Sequence, residues 1–259
     1  MAGRAAACLL LCGLAGGHAS AAVNDRTSLA WVQHPGAMLP PDTRVTDADG
    51  RAGRLGDVFG RVPVILDLDY YHCPSLCGVV RADVINALAN SGLASGRDYR
   101  FLSLSIDPRE TPADAAAARK TDLAQASFAD PASWRYVVAT AAGIDTVADI
   151  VGFRDRYDAV LKQFIHPAGV VVLTKAGRVS SYLLGVGYSA GDMRAAVLRA
   201  GDGGIAQAAL PILLLCFHFD PNTGRYTLAI VKLLKLLAAI TIVTIGGLLF
   251  LLSRRSRPA

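Results

Sequence analysis

The stretch Val62-Pro-Val-Ile-Leu-Asp-Leu-Asp-Tyr70 is almost continuously apolar, and only Tyr71 and His72 separate it from Cys73-Pro-Ser-Leu-Cys77. Such a β-rich, mostly apolar run predicts a central strand. Pro74 suits the first turn of a helix, where its missing N–H has no intrahelical partner to lose. Val80, Val84, Ile85 and Leu88 then recur at helical spacing and stop near Gly92. Tyr99–Ile106 reads as a second strand, and Thr111-Pro112 as the cap and first residue of a helix. A third strand is predicted at Trp134–Ala139 and a short helix at Thr146–Val151. Val170–Thr174 and Val179–Leu184 form a hairpin across Lys175-Ala-Gly-Arg178, and Ala190–Arg199 is a closing helix. Ahead of all this, Val45–Arg51 resembles a hairpin turn in which Asp49-Gly50 supplies the positive φ angles. Strands alternating with helices define an α/β domain over residues 45–200, preceded by an extended lead-in at 22–44.

The two ends of the chain have a different character. Hydrophobic residues make up 53% of the 259 and charged residues only 18%, which directs attention to membrane segments. Residues 1–21 read as a secretory signal peptide: Arg4, the apolar run Ala5–Ala15, and Ala19-Ser20-Ala21 as a small-residue cleavage site. Leu236–Leu252 holds no charge, and Lys232 and Lys235 can snorkel, so a transmembrane helix is expected over 227–252. Residues 201–226 form a juxtamembrane segment, and 253–259, with Arg254, Arg255 and Arg257, a cytoplasmic tail. The expectation is a single-pass protein of a bacterial-type inner (cytoplasmic) membrane, its main domain on the periplasmic side. All 21 acidic residues lie between Asp25 and Asp220, and residues 22–226 carry 20 basic ones. The formal charge of +5 therefore comes from the chain ends, and no nucleic-acid footprint is expected on the main domain.

Loss of the signal peptide would leave Cys73, Cys77 and Cys216, too few for a disulfide scaffold. Residues spaced i and i+4 at the start of a helix share one face, where the helix dipole favours thiolate over thiol. Two such thiolates select Cu(I) or Zn(II), or close into a disulfide. An inert structural disulfide is the alternative reading. His166, in Phe164-Ile-His-Pro-Ala168 at the mouth of the hairpin, is a candidate third ligand or else a structural loop residue. His72 would tune thiolate charge rather than bind metal, because adjacent side chains diverge. Asp67 and Asp69 share one face of their strand, with either a site-shaping or a structural role. Cys216-x-His218-x-Asp220 would align three donors if extended, but a packed juxtamembrane segment is the favoured reading.

The order Tyr-x-x-Cys-Pro-x-x-Cys, then Ser105-Ile-Asp-Pro-Arg-Glu-Thr-Pro112, then His166 before a hairpin resembles the Sco/SenC family over about residues 40–200. The resemblance implies a thioredoxin-like fold and one copper ion held by Cys73, Cys77 and His166. It implies a role in assembling the binuclear copper site of cytochrome c oxidase, with the apo copper subunit, or that of a related respiratory copper enzyme, as partner. Three departures stand out: Gly78 in place of the usual Pro, Pro167 in place of a small hydroxyl residue, and a C-terminal rather than N-terminal anchor.

The expected function is thus a copper metallochaperone rather than an enzyme. The second reading is a thiol–disulfide oxidoreductase in which Cys73 and Cys77 attack and resolve a mixed disulfide. A membrane-tethered copper or redox sensor is a third. Peroxidase chemistry is disfavoured because Tyr70 stands three residues before Cys73 where a Thr or Ser would be needed. Neither a G-x-S-x-G nor a P-loop motif occurs.

Overall fold

The computed structural model describes residues 29, 31–73, 77–208, 219–220, 225–226, 235, 237–241 and 244–245, without the side chain of Cys77 or those of 219–220 and 225–226. The strand made by the long apolar run is Val64–Asp69 (β3), buried at all six positions. It pairs in parallel with Arg100–Ser105 (β4), which pairs in parallel with Trp134–Val138 (β5). On its other side it meets Gly169–Leu173 (β8) antiparallel, and β8 continues into Val179–Leu184 (β9). Arg44–Asp47 (β1) and Ala52–Arg54 (β2) extend the far edge, giving a seven-stranded sheet of order β2-β1-β5-β4-β3-β8-β9.

Side-chain alternation sends neighbouring residues of β3 to opposite faces. Leu66 and Leu68 pack with Ile144, Val147 and Val151 of Ala141–Val151 (α3). Ile65 packs with residues of Cys77–Asn90 (α1), Pro112–Gln125 (α2) and Ala190–Gly201 (α4) on the other face. The result is a three-layer α/β domain of thioredoxin-like character. The α2 cap is as expected: the Thr111 hydroxyl accepts from the Asp114 N–H, and the Asp114 carboxylate accepts from the Thr111 N–H at 2.7 Å.

Several elements differ from expectation. The helix predicted from Thr146 begins at Ala141, because Thr140 caps it by accepting from the Gly143 N–H. A small hairpin, Arg156–Asp158 (β6) with Gln163–Ile165 (β7), stands ahead of His166. In the Val45–Arg51 turn only Gly50 has a positive φ, since the Asp47 carboxylate accepts from the N–H groups of Asp49 and Arg51 and fixes the turn instead. Residues 31–43, read as an extended lead-in, are packed: Trp31 and Leu39 are buried, and Trp31 lies edge-on to Phe153 and Tyr182.

The expected signal peptide lies outside the described residues, as do Cys216 and His218. Phe219–Asp220 pairs antiparallel with Arg225–Tyr226 as a two-residue ladder. Most of 227–252 is likewise outside the described residues; Lys235, 237–241, Thr244 and Ile245 are helical. Among the described residues no helix is long and apolar enough to cross a membrane.

Gly152 caps α3 in the left-handed region at φ 67°, and its carbonyl accepts from the Val32 N–H at 2.7 Å. A Cβ there would stand 1.6 Å from the Val32 carbonyl oxygen. Gly152→Ala is therefore expected to destabilise the domain by more than the ~1–2 kcal/mol of left-handed strain alone, and to release residues 31–39 first. Denaturant unfolding together with amide exchange of that segment checks both.

Candidate metal and redox site

Strand β3 delivers the chain to Tyr70, Tyr71, His72 and Cys73, and α1 resumes at Cys77. The described residues of the connecting loop are held by named partners. Tyr70 is buried on the α3 side, its carbonyl accepting from the Cys73 N–H at 3.2 Å. The Tyr71 hydroxyl donates to the Val137 carbonyl at 2.8 Å. Glu110, only 4% exposed at its side chain, holds the loop from below. Its carboxylate accepts from the Tyr71 N–H at 2.8 Å, the His72 N–H at 2.7 Å and the Ser105 hydroxyl at 2.6 Å. The sequence motif running from Ser105 to Pro112 thus works through Glu110, which grips the backbone beside Cys73. That role is invisible in sequence, where the residue reads as part of a turn.

Cys73 is half-buried against the apolar core and is disulfide-bonded. The side chain of Cys77 lies outside the described residues. Among the described residues no group of three His, Cys, Asp or Glu side chains could hold a metal ion.

His166 leaves the end of β7 and is half-buried. Its ring lies 6.0 Å from that of Tyr70, edge to face, and 5.6 Å from that of Phe153. Burial pushes its pKa below the usual histidine value, against the hydrogen bond to the Pro167 carbonyl. In that bond, at 3.2 Å, Nδ1 must be the donor, because a carbonyl cannot donate. The neutral ring therefore carries its lone pair on Nε2, the form in which imidazole binds metals. Pro167, a departure from the family pattern, contributes through its carbonyl. Tyr70 is thus the common neighbour: its backbone holds Cys73 and its ring packs on His166.

His72 is turned away from this role. Its Nδ1 donates to Glu110 at 3.1 Å and its Nε2 lies 3.5 Å from Asp114. On the rim, Arg109 is held by Asp107 at 2.7 Å and stacks 4.6 Å over the Tyr157 ring, linking the Ser105–Pro112 motif to the β6–β7 hairpin.

Asp67 and Asp69 point into the layer of α1 and α2, beneath the loop. Asp69 is ion-paired with Arg81 of α1 and accepts from the Ser103 hydroxyl at 3.3 Å. Arg81 Nε lies 2.9 Å from Asp122 of α2, at ion-pair distance but off hydrogen-bond geometry. Asp122 also accepts from the Tyr136 hydroxyl at 2.7 Å. Asp67 Oδ2 is buried with no hydrogen-bond partner. Neither Arg81 nor Asp122 stands out in the sequence as part of a site; the only signal is a charge placed between Val80 and Val84 on the apolar side of a helix.

No protein-family description matches this chain, and no curated relative does. Solved structures do. A proposed electron transfer protein from Aquifex aeolicus VF5 is similar at 26% identity and a TM-score of 0.58, over 66% of this chain and 96% of that one. A proposed electron transport protein from the same organism has 24% identity and a TM-score of 0.55, over 65% and 99%. Arabidopsis thaliana ScoI, with copper bound, has 15% identity and a TM-score of 0.51, over 66% and 99%. The α/β domain of this chain therefore has the fold of a Sco protein.

Burial raises the Asp67 pKa from 3.8 to about 7, opposed by Arg81 and reinforced by Asp122. A folded-state pKa above the unfolded one contributes stability that is present below pH ~4 and lost as pH rises through 7. Asp67→Asn removes this dependence. Its stability relative to wild type is expected to grow by about 2–3 kcal/mol between pH 5 and pH 7 and to stay level above. Urea unfolding of both proteins across that range checks the prediction.

Proposed function

We propose that this protein is a copper metallochaperone for the binuclear copper site of cytochrome c oxidase or a related respiratory copper enzyme. In this reading Cys73, Cys77 and His166 hold one Cu(I) ion as cargo. The observation that carries it is the shared contact through Tyr70, which joins the cysteine loop to a half-buried, neutral His166. Two thiolates and one imidazole make a soft, electron-rich donor set suited to Cu(I). The likeness to the copper-bound Arabidopsis ScoI fold and the three sequence motifs support the same reading.

Loading requires two thiolates, so the disulfide at Cys73, whose partner we take to be Cys77, must first be reduced by two electrons from a thiol donor. Copper then passes to the partner by ligand exchange, with incoming donors displacing the cysteines and His166. The domain acts on the periplasmic side of a bacterial-type inner membrane, tethered by residues 227–252 as a single span.

The disulfide at Cys73 also favours a second reading, a thiol–disulfide oxidoreductase acting on the cysteines of a respiratory copper protein. In that chemistry one thiolate attacks the partner's disulfide, the other resolves the mixed disulfide, and His166 is not required.

Copper stoichiometry of the reduced full chain separates the two. The chaperone reading predicts one copper per chain, abolished in Cys73→Ser and Cys77→Ser and weakened at least about tenfold (~1.4 kcal/mol) in His166→Ala. No retained copper, with disulfide reductase activity that survives His166→Ala, would leave the oxidoreductase.

A further inference from the structure

Beneath the cysteine loop lies a buried charge cluster that the copper chemistry does not use. Asp69 ends β3 and stands four residues before Cys73; Arg81 stands four residues after Cys77, one turn further along α1. Arg81 lies on the side of α1 that meets the sheet and α2, where it reaches Asp69 of β3 and Asp122. The side chains of Arg81, Asp69 and Asp122 are 10%, 2% and 6% exposed, which removes the solvent screening that makes surface pairs weak.

We propose that Arg81 is a positioning residue for the Cys73–Cys77 pair, fixing the two limbs of the cysteine loop against each other through Asp69 on β3 and Asp122 on α2. The Asp69–Arg81 pair closes the chain across both limbs: the strand that delivers Cys73 and the helix that starts at Cys77. Asp122, itself bonded to Tyr136 of β5, prevents the guanidinium from following α1 if the helix shifts. Two carboxylates, Asp69 and Asp122, hold this one guanidinium, so it is anchored from the sheet and from α2 at once. Holding the limbs together raises the effective concentration of one cysteine for the other, which favours the disulfide over the dithiol. The inference rests on the reading of Cys73 and Cys77 as the working pair.

The test is thiol–disulfide exchange of the full chain in detergent against glutathione. One protein disulfide and two glutathione thiols give one protein dithiol and one glutathione disulfide. Arg81→Lys keeps the charge but loses the fork that reaches two aspartates at once. It is expected to shift the equilibrium toward the dithiol by about tenfold (~30 mV for this two-electron couple). Removing one buried charge leaves its partners uncompensated and can unfold a domain, whereas neutralising the ion-paired residues together leaves none of them unpaired. The second variant is therefore Arg81→Met with Asp69→Asn and Asp122→Asn, expected to shift the equilibrium at least as far. A merely structural ion pair would lower the unfolding temperature of the oxidised and reduced forms equally and leave the exchange constant at its wild-type value. That result in the folded variants overturns the proposal. Peptide mapping of the wild-type disulfide reports on the underlying reading separately: a partner for Cys73 other than Cys77 overturns that reading, whichever way the variants move.

Discussion

Strand β3 is held by backbone hydrogen bonds between a parallel neighbour and an antiparallel one, and the domain depends on that double pairing. With β4 on one side and β8 on the other, β3 has no free edge, and its side chains are buried on both faces. Its C-terminal end is therefore a fixed point. The loop through Tyr70, Tyr71, His72 and Cys73 starts from it, and β8, which follows His166 within a few residues, is paired directly to it. One strand thus sets the location of both halves of the candidate site.

The two faces of β3 then do different work. Leu66, Leu68 and Tyr70 join the apolar layer with α3, and from that layer the Tyr70 and Phe153 rings pack on His166 and keep it neutral. On the opposite face Asp67 and Asp69 carry carboxyl groups into the interior. Burying carboxylates is costly unless they are paired, so that face demands Arg81, and Arg81 in turn ties α1 to the sheet and to α2. The proposed copper site would call for a rigid apolar seat for the histidine and a defined cysteine spacing, and the sheet puts the supports for these on its two sides.

Much of this organisation is legible in the sequence because it rests on local signals. The apolar run before Cys73 and the periodic Val80, Val84, Ile85 and Leu88 give β3 and α1, and Thr111-Pro112 gives the start of α2. What the sequence does not convey depends on tertiary partners. Ala141-Ala-Gly carries no apolar period, so the first turn of α3 is hidden until Thr140 is seen capping it. Arg156-Tyr-Asp and Gln163-Phe-Ile are three-residue strands too short and too polar to register. Trp31 and Leu39 lie in apolar stretches of only three or four residues (Leu29–Val32 and Ala37–Leu39) broken by Pro35 and Gly36, and only the packing of Trp31 on Phe153 shows that the stretch belongs to the core. The cysteines and His166 are recognisable from motif order, whereas Glu110, Tyr70 and Arg81 act through contacts whose partners lie in other elements.

The proposed ligation of one copper ion by two sulfurs and one imidazole nitrogen is open to X-ray absorption at the copper edge on the reduced and copper-loaded full-length protein. Cu(I) with two sulfur neighbours and one nitrogen neighbour is expected, with the nitrogen lost and both sulfurs retained in His166→Ala. Copper surrounded only by nitrogen and oxygen, or a spectrum unchanged in His166→Ala, would overturn the proposed ligand set.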